Sequence, residues 1–145
     1  MKHLTKEQLS NNLFTNNNFN KLLHSNIQKS DLIYLSSNTT LNQTQINSLF
    51  DLQIENININ LLKNSNCPNN KIKEFLSLND KIYNITIAHN ENLDYEIFEE
   101  LINLDDIDVD ISLVFNKSTP DIFLEHLKLK NHPFLKEALS TTKQI

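Results

Sequence analysis

The amino-acid sequence has no glycine, no arginine and no tryptophan in 145 residues, and a single cysteine, Cys67. Without glycine there is no phosphate-cradling Walker loop, no dinucleotide-binding glycine fingerprint, no nucleophile elbow and no standard EF-hand loop. Each of these needs backbone conformations or close approaches that a Cβ obstructs. Without arginine there is no bidentate fork for phosphate or carboxylate and no arginine finger. One cysteine excludes an internal disulfide, a Cys-x-x-Cys redox pair and a multi-thiolate zinc site, and it suits a reducing cytoplasm. No apolar run approaches the roughly 18 residues of a transmembrane candidate. The polar stretch Met1 to Leu13 also lacks the order of a signal peptide.

What the chain has in abundance is 24 Asn, 23 Leu and 16 Ile, against 2 Ala and 2 Val. Residues with GC-rich codons are scarce, which accounts for the empty Gly and Arg columns without selection. Asn-x-Ser/Thr tripeptides begin at Asn38, Asn42, Asn84 and Asn116, as chance provides when Asn is this common. At 39% hydrophobic and 21% charged, with a net charge of −5, the chain is an ordinary, mildly acidic domain.

Asparagine also recurs at a fixed interval. Asn38, Asn64, Asn90 and Asn116 stand 26 residues apart, and their surroundings repeat with them. Ile33, Ile59, Ile85 and Ile111 lie five residues before, and Leu35, Leu61, Ile87 and Leu113 three before. Ile46, Ile72, Phe98 and Leu124 lie eight after, and Leu49, Phe75, Leu101 and Leu127 eleven after. A constant period of this length marks a solenoid, where each unit buries its apolar face only against its neighbours.

Each unit reads as a short segment, a turn at the Asn, and a longer helix with apolar residues at helical spacing. The turn Asn is expected to take a left-handed backbone, because Asn tolerates it best in a chain without glycine. Pro68 and Pro120 fall four residues after their Asn, where a first helical turn tolerates proline, and Thr119 is the expected N-cap. The short segment reads two ways. Ile107, Val109, Ile111 and Leu113 alternate like a half-buried strand, as do Ile57, Ile59 and Leu61, which gives a strand-plus-helix leucine-rich-repeat horseshoe. Val109, Leu113 and Val114, with Ile57, Leu61 and Leu62, fit one side of a short helix equally well.

The segments DDIDVDISLVFNKSTPDIFLEHL, IYNITIAHNENLDYEIFEELI and ININLLKNSNCPNNKIKEFLSLND resemble the leucine-rich repeat variant family. Units of that family carry an Asn-x-x-Thr-Pro-type turn between a short helix and a longer one. The resemblance spans residues 31–130. The full turn string stands at Asn116, Thr119 and Pro120; Asn64 keeps Pro68 with Cys67 in the Thr place, and the other two copies lack the proline. The resemblance implies an all-α, right-handed α-solenoid of about four 26-residue repeats, with α-helices alternating with shorter, often 3₁₀, helices. One branch of the family carries an iron–sulfur cluster on added cysteines, which a lone Cys67 does not provide.

The expected organisation is one repeat domain over 1–145, with a degenerate cap over 1–30, four repeats over 31–130 and a C-terminal cap over 131–145. Leu4 to Phe14 resembles Leu41 to Phe50 and reads as the longer helix of a truncated unit. Asn16 to Asn20 then reads as a loop before a helix through Leu22 and Leu23. His132 to Ser140 reads as a capping helix, with Thr141 to Ile145 frayed.

Chemistry-bearing motifs are sparse. The histidines His3, His24, His89, His126 and His132 form no His-x-x-x-His or His-Glu-x-x-His pair. His126 beside Glu125 is a conceivable base, but no turn presents a nucleophile to it. Cys67 stands at a helix N-terminus, which lowers a thiol pKa. Its slot is filled elsewhere by Leu41, Leu93 and Thr119, which favours packing.

Charge is unevenly placed. Residues 82–116 hold no Lys and nine of the 18 carboxylates: Glu91, Asp94, Glu96, Glu99, Glu100, Asp105, Asp106, Asp108 and Asp110. Such a block is either a solvated face or a patch that steers and docks a basic partner. A calcium site from Asp105, Asp106, Asp108 and Asp110 is a third reading. It conflicts with the inward need for Ile107, Val109 and Ile111. Nucleic acid is disfavoured by the absence of a basic stripe. A membrane surface is disfavoured by the absence of a Lys-rich amphipathic helix.

The expected function is therefore a non-enzymatic, cytoplasmic protein-binding module, monomeric when free, with no cofactor and no metal. The outward ladder, nine and ten residues after each Asn, is Asn47 and Ser48, Lys73 and Glu74, Glu99 and Glu100, Glu125 and His126. The residues expected to meet a basic protein are Glu96, Glu99, Glu100, Asp105, Asp106, Asp108, Glu125 and His126. A narrower version is a small acidic inhibitor or immunity-type binder of a nucleic-acid-binding enzyme. The alternative is a hydrolase-like or calcium-dependent protein using His126 or the Asp105–Asp110 cluster.

Overall fold

The computed structural model describes residues 3–142, which form eleven α-helices and no strand. These are α1 (Lys6–Asn11), α2 (Asn16–His24), α3 (Lys29–Ser36), α4 (Gln43–Phe50), α5 (Glu55–Leu62), α6 (Asn69–Leu76), α7 (Lys81–Ala88), α8 (Tyr95–Asn103), α9 (Ile107–Phe115), α10 (Asp121–Leu129) and α11 (Pro133–Thr142). The fold class is all-α with repeated helix-on-helix packing, and the strand-plus-helix horseshoe is not adopted. The chain divides into two compact units, Met1–Pro68 and Asn69–Ile145.

In the first unit α3 packs between α1 and α5, while α2 lies on α4 and α4 on α5. In the second unit α9 packs between α7 and α11, α8 lies on α10, and α6 lies on α7. Both units are thus α-solenoid packing, in which equivalent helices from successive repeats stack in a row.

Burial explains why helix defeats strand before each anchor Asn. Val109 and Leu113 are completely buried, as are Ile57 and Leu61, whereas Ile59 and Ile111 are only half-buried. The buried stripe is i, i+4 with i+2 left out, which suits one side of a helix, whereas a strand that buried i and i+4 would bury i+2 with them. Seating both residues needs two turns, so α3, α5, α7 and α9 run for eight or nine residues, within one residue of α4, α6, α8 and α10. The expected contrast of short and longer helices is absent, and no 3₁₀ segment occurs among the described residues.

The anchor asparagines do not take the left-handed backbone. Asn116 has φ −76°. The left-handed residues are Gln53, Asn79, Asp105 and Asn131, with φ of 55°, 54°, 52° and 54°, themselves spaced by the repeat. They close α4, α6, α8 and α10, each donating its N–H to a carbonyl three residues back (Phe50, Leu76, Ile102, Lys128).

The anchors bridge repeats instead. Asn38, Asn64, Asn90 and Asn116 are all buried. In the first unit Asn38 Nδ2 donates to the Asn12 carbonyl at 2.8 Å and the Leu9 carbonyl at 3.0 Å, and Asn64 Nδ2 donates to the Asn38 carbonyl at 3.1 Å. In the second, Asn116 Nδ2 donates to the Asn90 and Ala88 carbonyls at 2.7 and 2.9 Å. Each Oδ1 accepts the N–H two residues on, from Thr40, Asn66, Asn92 and Ser118. An aliphatic residue would leave these buried backbone groups unpaired, which is the physical reason for Asn here.

The ends also differ from expectation. Asn12 lies 26 residues before Asn38, and Leu9 lies 26 before Leu35. Because α1 packs on α3, it is the first helix of a further repeat and not a copy of Leu41 to Phe50. Asn16 to Asn20 is no loop: it opens α2, where the Thr15 hydroxyl caps the Asn18 N–H at 3.1 Å. At the other end Leu135 and Leu139 of α11 occupy the places of Val109 and Leu113, and both are buried. Thr141 and Thr142 continue α11 rather than fray, and residues 143–145 lie outside the described residues. Thr119 does not cap α10 either. Its hydroxyl turns inward and donates to the Leu113 carbonyl at 2.6 Å, leaving Pro120 at the N-cap. Cys67 is packed, with 5% of its surface exposed.

Candidate functional site

All the residues expected to dock a partner lie in the second unit, but they do not form one free patch. Lysines one repeat away meet much of the acidic block. Lys81 Nζ lies 2.7 Å from Asp108 and 3.7 Å from Asp106, and Lys73 Nζ lies 2.8 Å from Glu96. Lys117 reaches Glu91 at 3.8 Å, and Lys130 reaches Asp105 at 3.1 Å. Lys81 and Lys73 are exposed, and hydrogen bonding to Asp108 and to Glu96 respectively raises the pKa of each. The net charge of residues 82–116 therefore overstates the field at this surface.

The Asp105–Asp110 cluster is spent locally. Asp105 holds the left-handed turn, and Asp106 caps α9 by accepting the Asp108 N–H at 2.9 Å. Asp110 is buried, with Lys130 Nζ at 3.1 and 2.9 Å from its two oxygens and that same Nζ donating to the Ile102 carbonyl at 2.6 Å. Burial raises the Asp110 pKa, while the hydrogen bond and charge of Lys130 oppose the rise. The four aspartates are taken in pairs by two lysines, Asp106 and Asp108 by Lys81 and Asp105 and Asp110 by Lys130, and among the described residues no group of three His, Cys, Asp or Glu is placed to hold a metal ion.

Helices α8 and α10 carry the remaining expected residues. Glu99 and Glu100 are exposed on α8, and neither has an ion-pair partner among the described residues. Glu125 on α10 meets Lys128 at 2.9 Å. His126 is exposed with its ring 6.5 Å from Phe123. In the outward ladder Asn47 and Ser48 are half-buried, and the other six positions are exposed.

The packing of α8 on α10 brings Glu99 and His126 into one groove of about 200 Å³, with Tyr95, Ile102, Asn103, Ile122 and Phe123. Tyr95 is 62% exposed and Ile122 57% exposed, a high figure for apolar surface. The Tyr95 ring meets Phe123 edge-on at 5.3 Å, and Phe123 stacks on Phe98 at 5.3 Å, so the groove wall is fixed from beneath. Sequence reasoning passed over Tyr95 and Ile122. Their signal was spacing: Tyr95 precedes Glu99 by four residues and Ile122 precedes His126 by four, so each pair shares a helix face.

The fold and this surface define an all-α helical-repeat protein with an acidic, aromatic-lined groove. No family model, curated protein or solved structure matches the chain. No described helix is long and apolar enough to cross a membrane.

Proposed function

We propose that the chain is a non-enzymatic protein-binding repeat module for a basic partner, and that α8 and α10 form its docking face. Glu99 and Glu100 carry this reading: they are exposed, lie on one helix, and form no ion pair among the described residues, Lys73 acting on Glu100 only at longer range. Charges of this kind steer encounter and fix register rather than supply most of the affinity. Glu96, Glu125 and His126 rim the same face, while Asp105, Asp106 and Asp108 serve as a peripheral field already shared with Lys81 and Lys130. Membership of the leucine-rich repeat variant family, a cytoplasmic setting, and action as a small inhibitor of a nucleic-acid-binding enzyme belong to the same proposal. Affinity capture from the source cells with mass spectrometry tests it, at about 0.1 M and about 1 M salt, where the screening length falls from about 10 to about 3 Å. Recovery of Lys/Arg-rich proteins at low salt and their loss at high salt is the expected outcome. Acidic partners, or capture insensitive to salt, overturn it.

A further inference from the structure

Resting on that reading, we infer that the groove between α8 and α10 receives a single lysine or arginine side chain of the partner. Its aliphatic stem lies along Ile102 and Ile122, and its cation lies at the Tyr95 ring and the Glu99 carboxylate. Size selects the occupant. At about 200 Å³ the groove falls below the roughly 300 to 1,000 Å³ of small-molecule sites, and a helix about 10 Å across does not enter it. One long side chain does. Chemistry selects its type. An apolar floor, an exposed electron-rich ring and an uncompensated carboxylate match the two ends of a side chain with an apolar stem and a charged head. A carboxylate head would face Glu99, which forms no ion pair among the described residues. A purely aliphatic side chain would leave Glu99 beside apolar surface at the mouth, and burial disfavours an unpaired charge. The edge-on contact of Tyr95 with Phe123, at 5.3 Å, holds the ring in place before anything binds, so little ordering is left for the encounter.

The test titrates the full chain with N-acetyl-arginine amide, N-acetyl-lysine amide, N-acetyl-norleucine amide and N-acetyl-glutamate amide, followed by NMR. The basic probes are expected to shift the resonances of Tyr95, Ile102 and Ile122, and the other two are not. Glu99→Gln and Tyr95→Leu should each weaken the basic probes by about two- to fivefold. Glu91→Gln, whose carboxylate is paired with Lys117, should leave them unchanged. Norleucine amide shifting the same resonances as strongly would overturn the inference in favour of an apolar anchor. Arginine amide shifts scattered over every carboxylate would overturn it in favour of non-specific attraction. The two readings fail separately: probes seated in the groove without capture of any basic protein remove the proposed function, whereas capture of a basic protein that ignores Glu99→Gln and Tyr95→Leu removes the groove.

Discussion

Replacing Asn116 by glycine tests how the repeats are joined. Glycine is the best residue for a left-handed turn, so an anchor chosen for backbone freedom would accept it without loss. The structure gives Asn116 an ordinary φ and three side-chain hydrogen bonds instead. Nδ2 donates at 2.7 and 2.9 Å to the Asn90 and Ala88 carbonyls, and Oδ1 accepts from the Ser118 N–H at 2.9 Å. Each such bond is worth about 0.5 to 1.5 kcal/mol net, and more where its loss strands a buried partner. Asn116→Gly should therefore cost roughly 2 to 4 kcal/mol, which for a chain of this size lowers Tm by roughly 5 to 15 °C. Asn116→Asp should cost at least as much, because it loses both donations and buries a charge. Asn131→Gly is the matching control. Asn131 does occupy the left-handed region at φ 54°, so glycine there should be neutral or stabilise by up to about 1 kcal/mol. Urea unfolding followed by far-ultraviolet circular dichroism, read as the midpoint at constant slope, measures all three. A neutral Asn116→Gly with a destabilising Asn131→Gly would refute the bridging role.

Packing and burial give further expectations. Leu101 is completely buried in α8, so Leu101→Ala should cost about 2 to 5 kcal/mol. Glu99→Ala and Glu100→Ala on the exposed side of that helix should stay within about 0.5 kcal/mol, and equal losses at all three would mean the helix register is wrong. The raised pKa of buried Asp110 fixes the sign of a pH effect. Its folded form takes up a proton before the unfolded chain does, at an ordinary pKa of about 3.9. The stability it contributes is fully present below that value and is lost as pH rises through the raised one. From neutral pH down into that window the wild type should gain stability relative to Asp110→Asn, as followed by urea midpoints. A difference that is constant, or that moves the other way, contradicts the assignment.

Much of the repeat was legible because it is written in positions rather than in residue types. The residues three before each anchor are all completely buried, and an interval count alone finds them. What the interval count could not supply was partnership in space. The left-handed residues are Gln, Asn, Asp and Asn, so their shared position carries no single-letter signature. Leu4 to Phe14 matched the wrong helix because both kinds of helix bury leucines at similar spacing. Only the placement of Asn12 against Asn38, and of α1 against α3, decides between them. The acidic block looked unneutralised because charge was summed along the chain, whereas stacking sets Lys81 and Lys130 beside aspartates 25 to 27 residues away. Conversely, Glu99 and Glu100 were chosen correctly as outward residues, since the same stripe that buries Leu101 turns them to solvent. Tyr95 and Ile122 escaped notice because the outward ladder took only the positions nine and ten after each anchor, and they lie a turn earlier on the same faces, five after Asn90 and six after Asn116.

The docking role of α8 is tested most directly by affinity capture with the double variant Glu99→Gln, Glu100→Gln beside the wild type, at low salt, with quantitative mass spectrometry. The variant should unfold within about 0.5 kcal/mol of the wild type while capturing several-fold less of the Lys/Arg-rich proteins. Undiminished capture of the same basic proteins by this variant would contradict the assignment of α8 as the docking helix.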